Sequence, residues 1–170
     1  MMRSQLAKCG GADKARKTRG FSLIELLLVV AIILIIAAIA IPNYIHSKER
    51  ANESGAVQNL RTLTTAETVY TTTYSIGYST TLVQLGGTSL TVDQNNAGLI
   101  DSVLATGTKA GYSFTYSVLT TDQNGEVTGF SVNADPVIPG QTGDQHYYTD
   151  ESNIIRHNVT QAATANDPSI

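Results

Sequence analysis

Glu25 raises the first chemical question, because it is ionisable and lies inside the run FSLIELLLVVAIILIIAAIAI, Phe21 to Ile41, whose only other polar member is Ser22. A charged side chain well inside an apolar span costs ~2.5–3.5 kcal/mol on insertion scales, and less near the end, where it reaches the interface. Packed among other apolar helices, it would instead need a cationic partner. His46, His146 and His157 accompany several carboxylates, yet the chain holds no HExxH, CxxC, GxSxG or phosphate-loop motif. Asp122-Gln123-Asn124-Gly125-Glu126 begins like a calcium loop but lacks EF-hand spacing, and it reads as a hairpin turn. Asp144, Asp150 and Glu151 could at most coordinate calcium together with loop carbonyls. His146, beside Tyr147 and Tyr148, reads as a half-exposed strand residue at a subunit contact rather than a ligand. Tyr70, Tyr74 and Tyr78, spaced by four, invite an electron-transport reading, which core packing explains more cheaply. Asn52-Glu53-Ser54 and Asn158-Val159-Thr160 fit the N-glycosylation sequon. No catalytic group and no cofactor is expected.

The apolar run dictates the first element. At ~1.5 Å per residue its 21 positions make a helix of about 32 Å, the thickness of a bilayer's hydrocarbon core. Charge is divided around it. Residues 1–20 carry six basic groups against Asp13, a balance of +5, whereas the remaining 150 carry five basic and thirteen acidic groups, a balance of −8. A basic flank stays in the cytoplasm, so the polar C-terminal part faces outward. Its acidity disfavours direct nucleic-acid binding. The single cysteine, Cys9, lies in the basic flank, so the exported part must hold together without disulfides.

On physics alone this N-terminus has three readings. It fits a signal peptide cleaved after Ala38-Ile39-Ala40, or an uncleaved signal anchor that leaves Glu25 as an unexplained cost, and a third reading comes from the residues around Glu25. The residues Gly20-Phe21-Ser22-Leu23-Ile24-Glu25, with the basic leader before them and the apolar helix to Pro42 after them, resemble the cleavage and methylation motif of type IV prepilins and related secretion subunits. The resemblance covers about forty residues of the 170. It implies cleavage between Gly20 and Phe21 by a prepilin peptidase, which then methylates the Phe21 amine. It further implies pairing of Glu25 with the Phe21 amine of a neighbouring subunit, which neutralises both groups and sets the axial register.

Beyond Ile41, Pro42 removes a helical hydrogen bond and predicts a kink near 38–42, or a helix end. Ala56, Leu60, Leu63, Tyr70 and Tyr74 then form one apolar stripe, with Lys48, Arg50, Glu53, Arg61 and Glu67 at other positions. The helix is expected to run to Tyr74, with Gly55 as a weak point. Residues 75–98, rich in Ser, Thr, Gly and Asn, read as a surface connection, and 99–104 as a helical turn or two. From Ala110 the period becomes two, through Tyr112, Phe114, Tyr116 and Val118. A return strand follows over 127–132, broken at Asp135-Pro136, with further strands in 145–149 and 153–157.

The expected fold is α+β, a long N-terminal helix packed on a three- or four-stranded antiparallel sheet. The expected divisions are a leader 1–20, a membrane and filament-core helix 21–41, an amphipathic half 42–74 and a globular head 75–170. By resemblance the chain is a pilus subunit, a single-pass inner-membrane precursor that later becomes part of an extracellular filament. Its implied partners are identical or related subunits, the prepilin peptidase and N-methyltransferase, and an inner-membrane platform driven by a cytoplasmic ATPase. The rivals are a type II secretion pseudopilin and a secreted binding or enzymatic domain released after Ala40.

Overall fold

A computed structural model describes residues 20–87 and 91–170. The leader segment 1–19, with Cys9, lies outside the described residues. The chain divides into two compact units at Ala40/Ile41, and helix α1, Leu23–Tyr74, contributes to both.

In the first unit the side chains of residues 20–40 are exposed at every position except Ala37, which is half-buried. The helix there is apolar all round, with no stripe to bury and no polar face to offer water. It continues through Pro42 rather than ending at Ile41, and it also runs unbroken through Gly55. A Cβ at Gly55 would lie 3.6 Å from the Ala110 Cβ, an ordinary contact, so nothing there interrupts the helix.

The second unit contains the core. Ala56, Leu60, Leu63, Ala66 and Tyr70 of α1 pack against Tyr112, Phe114, Phe130, Val132, Ala134 and Tyr147 of the sheet. The sheet has five strands in chain order: β1 Thr108–Lys109, β2 Tyr112–Thr121, β3 Val127–Pro136, β4 His146–Asp150 and β5 Arg156–Asn158, all antiparallel. That is one strand more than expected, because Thr108–Lys109 folds back on Tyr112–Ser113 through a tight turn that composition does not reveal. The last strand also starts later than expected, at Arg156, paired with Tyr148.

Pro136 does not break β3, contrary to its sequence reading. Val137 N–H donates to Gly111 O at 3.0 Å, so the preceding nitrogen, that of Pro136, faces away from β2. On that side the pairing with β4 has already stopped at Ala134. A residue without an N–H therefore leaves no ladder bond unmade.

Two short helices close the space beside α1. In α2, Leu82–Leu85, both leucines at the ends are buried. Leu99 and Ile100, read as helical, instead donate their N–H groups to Leu85 O at 2.8 and 3.1 Å. Helix α3, Ser102–Ala105, starts only after them, where Asp101 accepts from Val103 N and Leu104 N. Tyr78 does not extend the Tyr70–Tyr74 helical pair. It lies beyond α1 with its ring edge against Phe130, at a centroid distance of 4.8 Å.

Candidate functional site

The residues singled out at the N-terminus occupy the entry to α1. Ser22, just before the helix, accepts at its carbonyl from Glu25 N and Leu26 N, both at 3.1 Å, and Glu25 is the third helical residue. The spacing Ser22-x-x-Glu25 is that of a capping box, and a carboxylate in a first turn complements the helix dipole. The local fold therefore gives Glu25 a compatible position, and among the described residues no cation pairs with it. Phe21 is 74% exposed, and the two helical residues before Glu25 are equally open. A Cβ on Gly20 would meet none of the described residues within 4 Å. The helix that follows is long and apolar enough to cross a membrane.

The other candidates are dispersed. His146 Nδ1 lies 2.6 Å from Asp135 Oδ1 across β3 and β4, and His46 Nδ1 lies 3.0 Å from Glu49 Oε2 on α1. His157 Nδ1 is buried without a hydrogen-bond partner. Asp144 accepts from Gly140 N at 3.1 Å before β4, whereas Asp150, at the far end of β4, caps its own turn by accepting from Ser152. Strand β4, five residues at about 3.3 Å each, runs from just after Asp144 to Asp150, so Asp144, Asp150 and Glu151 do not converge. Among the described residues no group of three or more His, Cys, Asp or Glu could hold a metal ion.

Asp122 shapes the hairpin turn as its sequence suggests. Its carboxylate accepts from Glu126 N at 2.8 Å and Asn124 N at 2.9 Å, and these amides hold it below the usual carboxylate range. Of the two sequon asparagines, Asn52 donates to Thr142 O at 2.9 Å and Asn158 to Asp167 Oδ1 at 2.8 Å.

The residue that sequence reasoning misplaced is Glu67. Read as a surface decoration, it is 1% exposed. Its oxygens accept from Ser79 N at 2.9 Å and Ser79 Oγ at 2.5 Å, and Tyr116 Oη donates to Ser79 O at 2.8 Å. Burial raises its pKa, against the lowering effect of the Ser79 hydrogen bonds. The signal was available. Leu60, Leu63, Glu67 and Tyr70 follow spacings of three and four, so Glu67 falls on the buried stripe.

Comparison with known proteins adds to this geometry. The family described as the Prokaryotic N-terminal methylation motif matches residues 15–41. The type IV major fimbrial protein FimA of Dichelobacter nodosus is 36% identical over 125 residues, 73% of this chain and 78% of that protein. The type IV major pilin protein PilA of Myxococcus xanthus is 57% identical over 51 residues, 30% of this chain but only 23% of its own length. The type II secretion system core protein G of Vibrio cholerae is 38% identical over 68 residues, 40% of this chain and 46% of that protein. No solved structure matches the chain.

Proposed function

Because this chain belongs to the type IV pilin family, we propose that it is a structural subunit, not an enzyme, and that it polymerises through its N-terminal helix into a helical surface filament. One observation carries the reading. Residues 23–40 form a helix apolar all round except at Glu25, with no described residue of its own unit to bury it, while the second unit closes its core with residues from Ala56 onward. Such a cylinder is stable in lipid and again among copies of itself, and Leu, Ile, Val and Ala suit both surroundings.

In this scheme the precursor is held in the inner membrane with its basic leader in the cytoplasm. A prepilin peptidase cuts between Gly20 and Phe21 and methylates the new amine. The open space around Gly20 among the described residues suits a role in recognition by that enzyme. The freed Phe21 amine of one subunit then meets Glu25 of a neighbour, so that two charges that would be costly alone enter the filament core as a pair. An inner-membrane platform with a cytoplasmic ATPase supplies the work of extraction from lipid.

N-terminal sequencing and mass spectrometry of the mature protein test the scheme. The expected first residue is N-methylated Phe21. A mature protein beginning at Ile41 would mean a secreted domain and would end the filament reading. The likeness to a secretion-system protein supports a second arrangement, a short secretion pseudopilus. Electron microscopy of sheared cell-surface material separates the two, since only a pilus subunit yields long fibres.

A further inference from the structure

Two exposed arginines of α1 and two acidic turns of the second unit lie apart along its length. Near one end, Asn52 and Glu53 of α1 bond the β3–β4 connection, reaching Thr142 O, Asp144 N and Gln145 N. At the other end, past the last turn of α1, Tyr78 N–H donates to Val127 O at 2.8 Å beside the β2–β3 turn. From residue 52 to residue 74 the helix rises about 33 Å, so the two ends are well separated.

Arg50 lies near the first end, which also carries the carboxylates of Glu53 and Asp144, and Arg61 lies about 16 Å further along α1. Eleven residues, three helical turns, separate them, which puts both on one side of α1. Both are exposed, and among the described residues neither forms an ion pair. They border a groove lined by Ser54, Gln58 and Tyr147. Glu53 also lines this groove, but its Oε1 already serves the amides of Asp144 and Gln145. Two further cations are engaged: Lys109 pairs with Asp101 at 2.6 Å, and Arg156 donates to Asp167 O at 2.9 Å. Lys48 is exposed on another side of the helix.

At the far end two turns carry acidic charges only, with Arg156 following the second of them. The β2–β3 turn carries Asp122 and Glu126. The register Ser131↔Asp150 brings the β4–β5 turn, with Asp150 and Glu151, to the same end of the sheet. Glu151 Oε1 lies 3.6 Å from where a Cβ on Gly129 would be, over the β3 face opposite the helix. Neither turn contains a lysine or arginine, and none of these four carboxylates is ion-paired among the described residues.

We infer that the Arg50–Arg61 side of one subunit docks on the Asp122, Glu126, Asp150 and Glu151 end of a second copy, so that the heads, and not only the apolar helices, fix subunit spacing. Two different surfaces meet in such a contact, so it propagates as a filament wherever its rotation does not close into a ring. Stacking acidic end to acidic end would juxtapose like charges, which selects a head-to-tail polarity. Exposed pairs of this kind contribute little singly, and they gain strength when the assembled interface excludes water and salt. The inference rests on the filament reading.

Charge exchange in the full-length chain, produced by a filament-forming host, tests it. Three variants are compared with wild type: Arg50→Glu with Arg61→Glu, Glu126→Arg with Glu151→Arg, and all four together. Sheared filament yield is the readout, and the membrane pool of Phe21-methylated subunit controls for folding and processing. Each double variant is expected to lose filament yield by about tenfold or more, and the fourfold variant to recover most of it. Unchanged yield from either double variant, or a fourfold variant no better than the doubles, would overturn the inference while leaving the filament reading intact. Wild-type subunits that are processed elsewhere and yield no fibres would sink the filament reading and this inference with it. Should a reversed variant be lost from the membrane pool, Arg50→Gln with Arg61→Gln and Glu126→Gln with Glu151→Gln replace it. Normal yield from both glutamine pairs would equally overturn the contact.

Discussion

The carboxylate of Glu67 holds the amide and the hydroxyl of Ser79 at 2.9 and 2.5 Å, and both residues are shut off from solvent. This clip ties α1 to the loop leaving it, and through Tyr116 to β2. Among the described residues no cation shares it. The Ser79 hydroxyl also lies 3.2 Å from Thr81 O, which gives its proton an alternative acceptor. A protonated Glu67 can therefore donate to Ser79 Oγ while Ser79 turns to Thr81, and the clip survives neutralisation.

A pH dependence follows from that geometry and from the raised pKa of Glu67, first because burial disfavours its charge. Between the ordinary carboxylate value of 4.5 and the raised folded value, the folded state binds more protons than the unfolded one. The Glu67 contribution is thus fully present below the ordinary value and is lost as pH rises through the folded one. Thermal unfolding of the detergent-solubilised chain, measured against Glu67→Gln, should show wild type losing relative stability as pH rises above the ordinary carboxylate value. A constant difference between the two proteins would refute this. Glu67→Leu, which strands the buried Ser79 donors, should cost about 1–3 kcal/mol.

Gly77 has a φ of 82°, and a Cβ there would lie 2.4 Å from Val127 O and 3.0 Å from Val127 N. The backbone of β3 cannot yield as a side chain would. Gly77→Ala should therefore destabilise by clearly more than Gly125→Ala, whose φ is 86° but whose Cβ would find open space. The latter carries only the left-handed penalty of about 1–2 kcal/mol. Chemical denaturation of both variants, read by near-ultraviolet circular dichroism, measures the difference, and equal losses would show that the close approach to Val127 is unimportant.

Asp101 caps α3 through Val103 N and Leu104 N and receives Lys109 at 2.6 Å. Asp101→Ala should cost about 1 kcal/mol, chiefly through the cap, and Asp101→Asn should retain most of it. Faster amide exchange at Val103 and Leu104 in the alanine variant is the local signature. Unchanged exchange there would assign the helix start to packing of Leu104 alone.

At the N-terminus, Glu25→Ala should leave membrane insertion and head stability unchanged while abolishing most filament yield. Normal fibres from this variant would remove the proposed pairing with Phe21. Gly20→Ala, at a position where the fold has open space, should leave the subunit folded but unprocessed. Mass spectrometry of the membrane fraction distinguishes the retained leader from the cut form.

Much of the candidate site was legible because it is local. Gly20, Phe21 and Glu25 lie within six consecutive residues, and the apolar run announces its own surroundings by length and composition alone. The stripe Ala56–Leu60–Leu63–Tyr70 and the alternation Tyr112–Phe114–Tyr116 each report a face through a fixed period, so the helix-on-sheet core could be read before any coordinates. Glu67 was misread because charge was weighed above position. Its periodicity said buried, and only a donor twelve residues away made that burial tolerable.

By itself, then, the sequence determined what depends on near neighbours: an apolar helix with one carboxylate at its start, a hairpin turned by Asp122, and a head without disulfides to staple it. Tertiary structure decided what depends on which remote backbone group is within reach. It placed Ser79 against Glu67, left Pro136 at a point where no ladder bond was needed, and added Thr108–Lys109 to the sheet. It also set Arg50 and Arg61 on one side of α1 and brought two acidic turns to one end of the sheet. A local period fixes which face a residue occupies, but only the closed core fixes what that face meets.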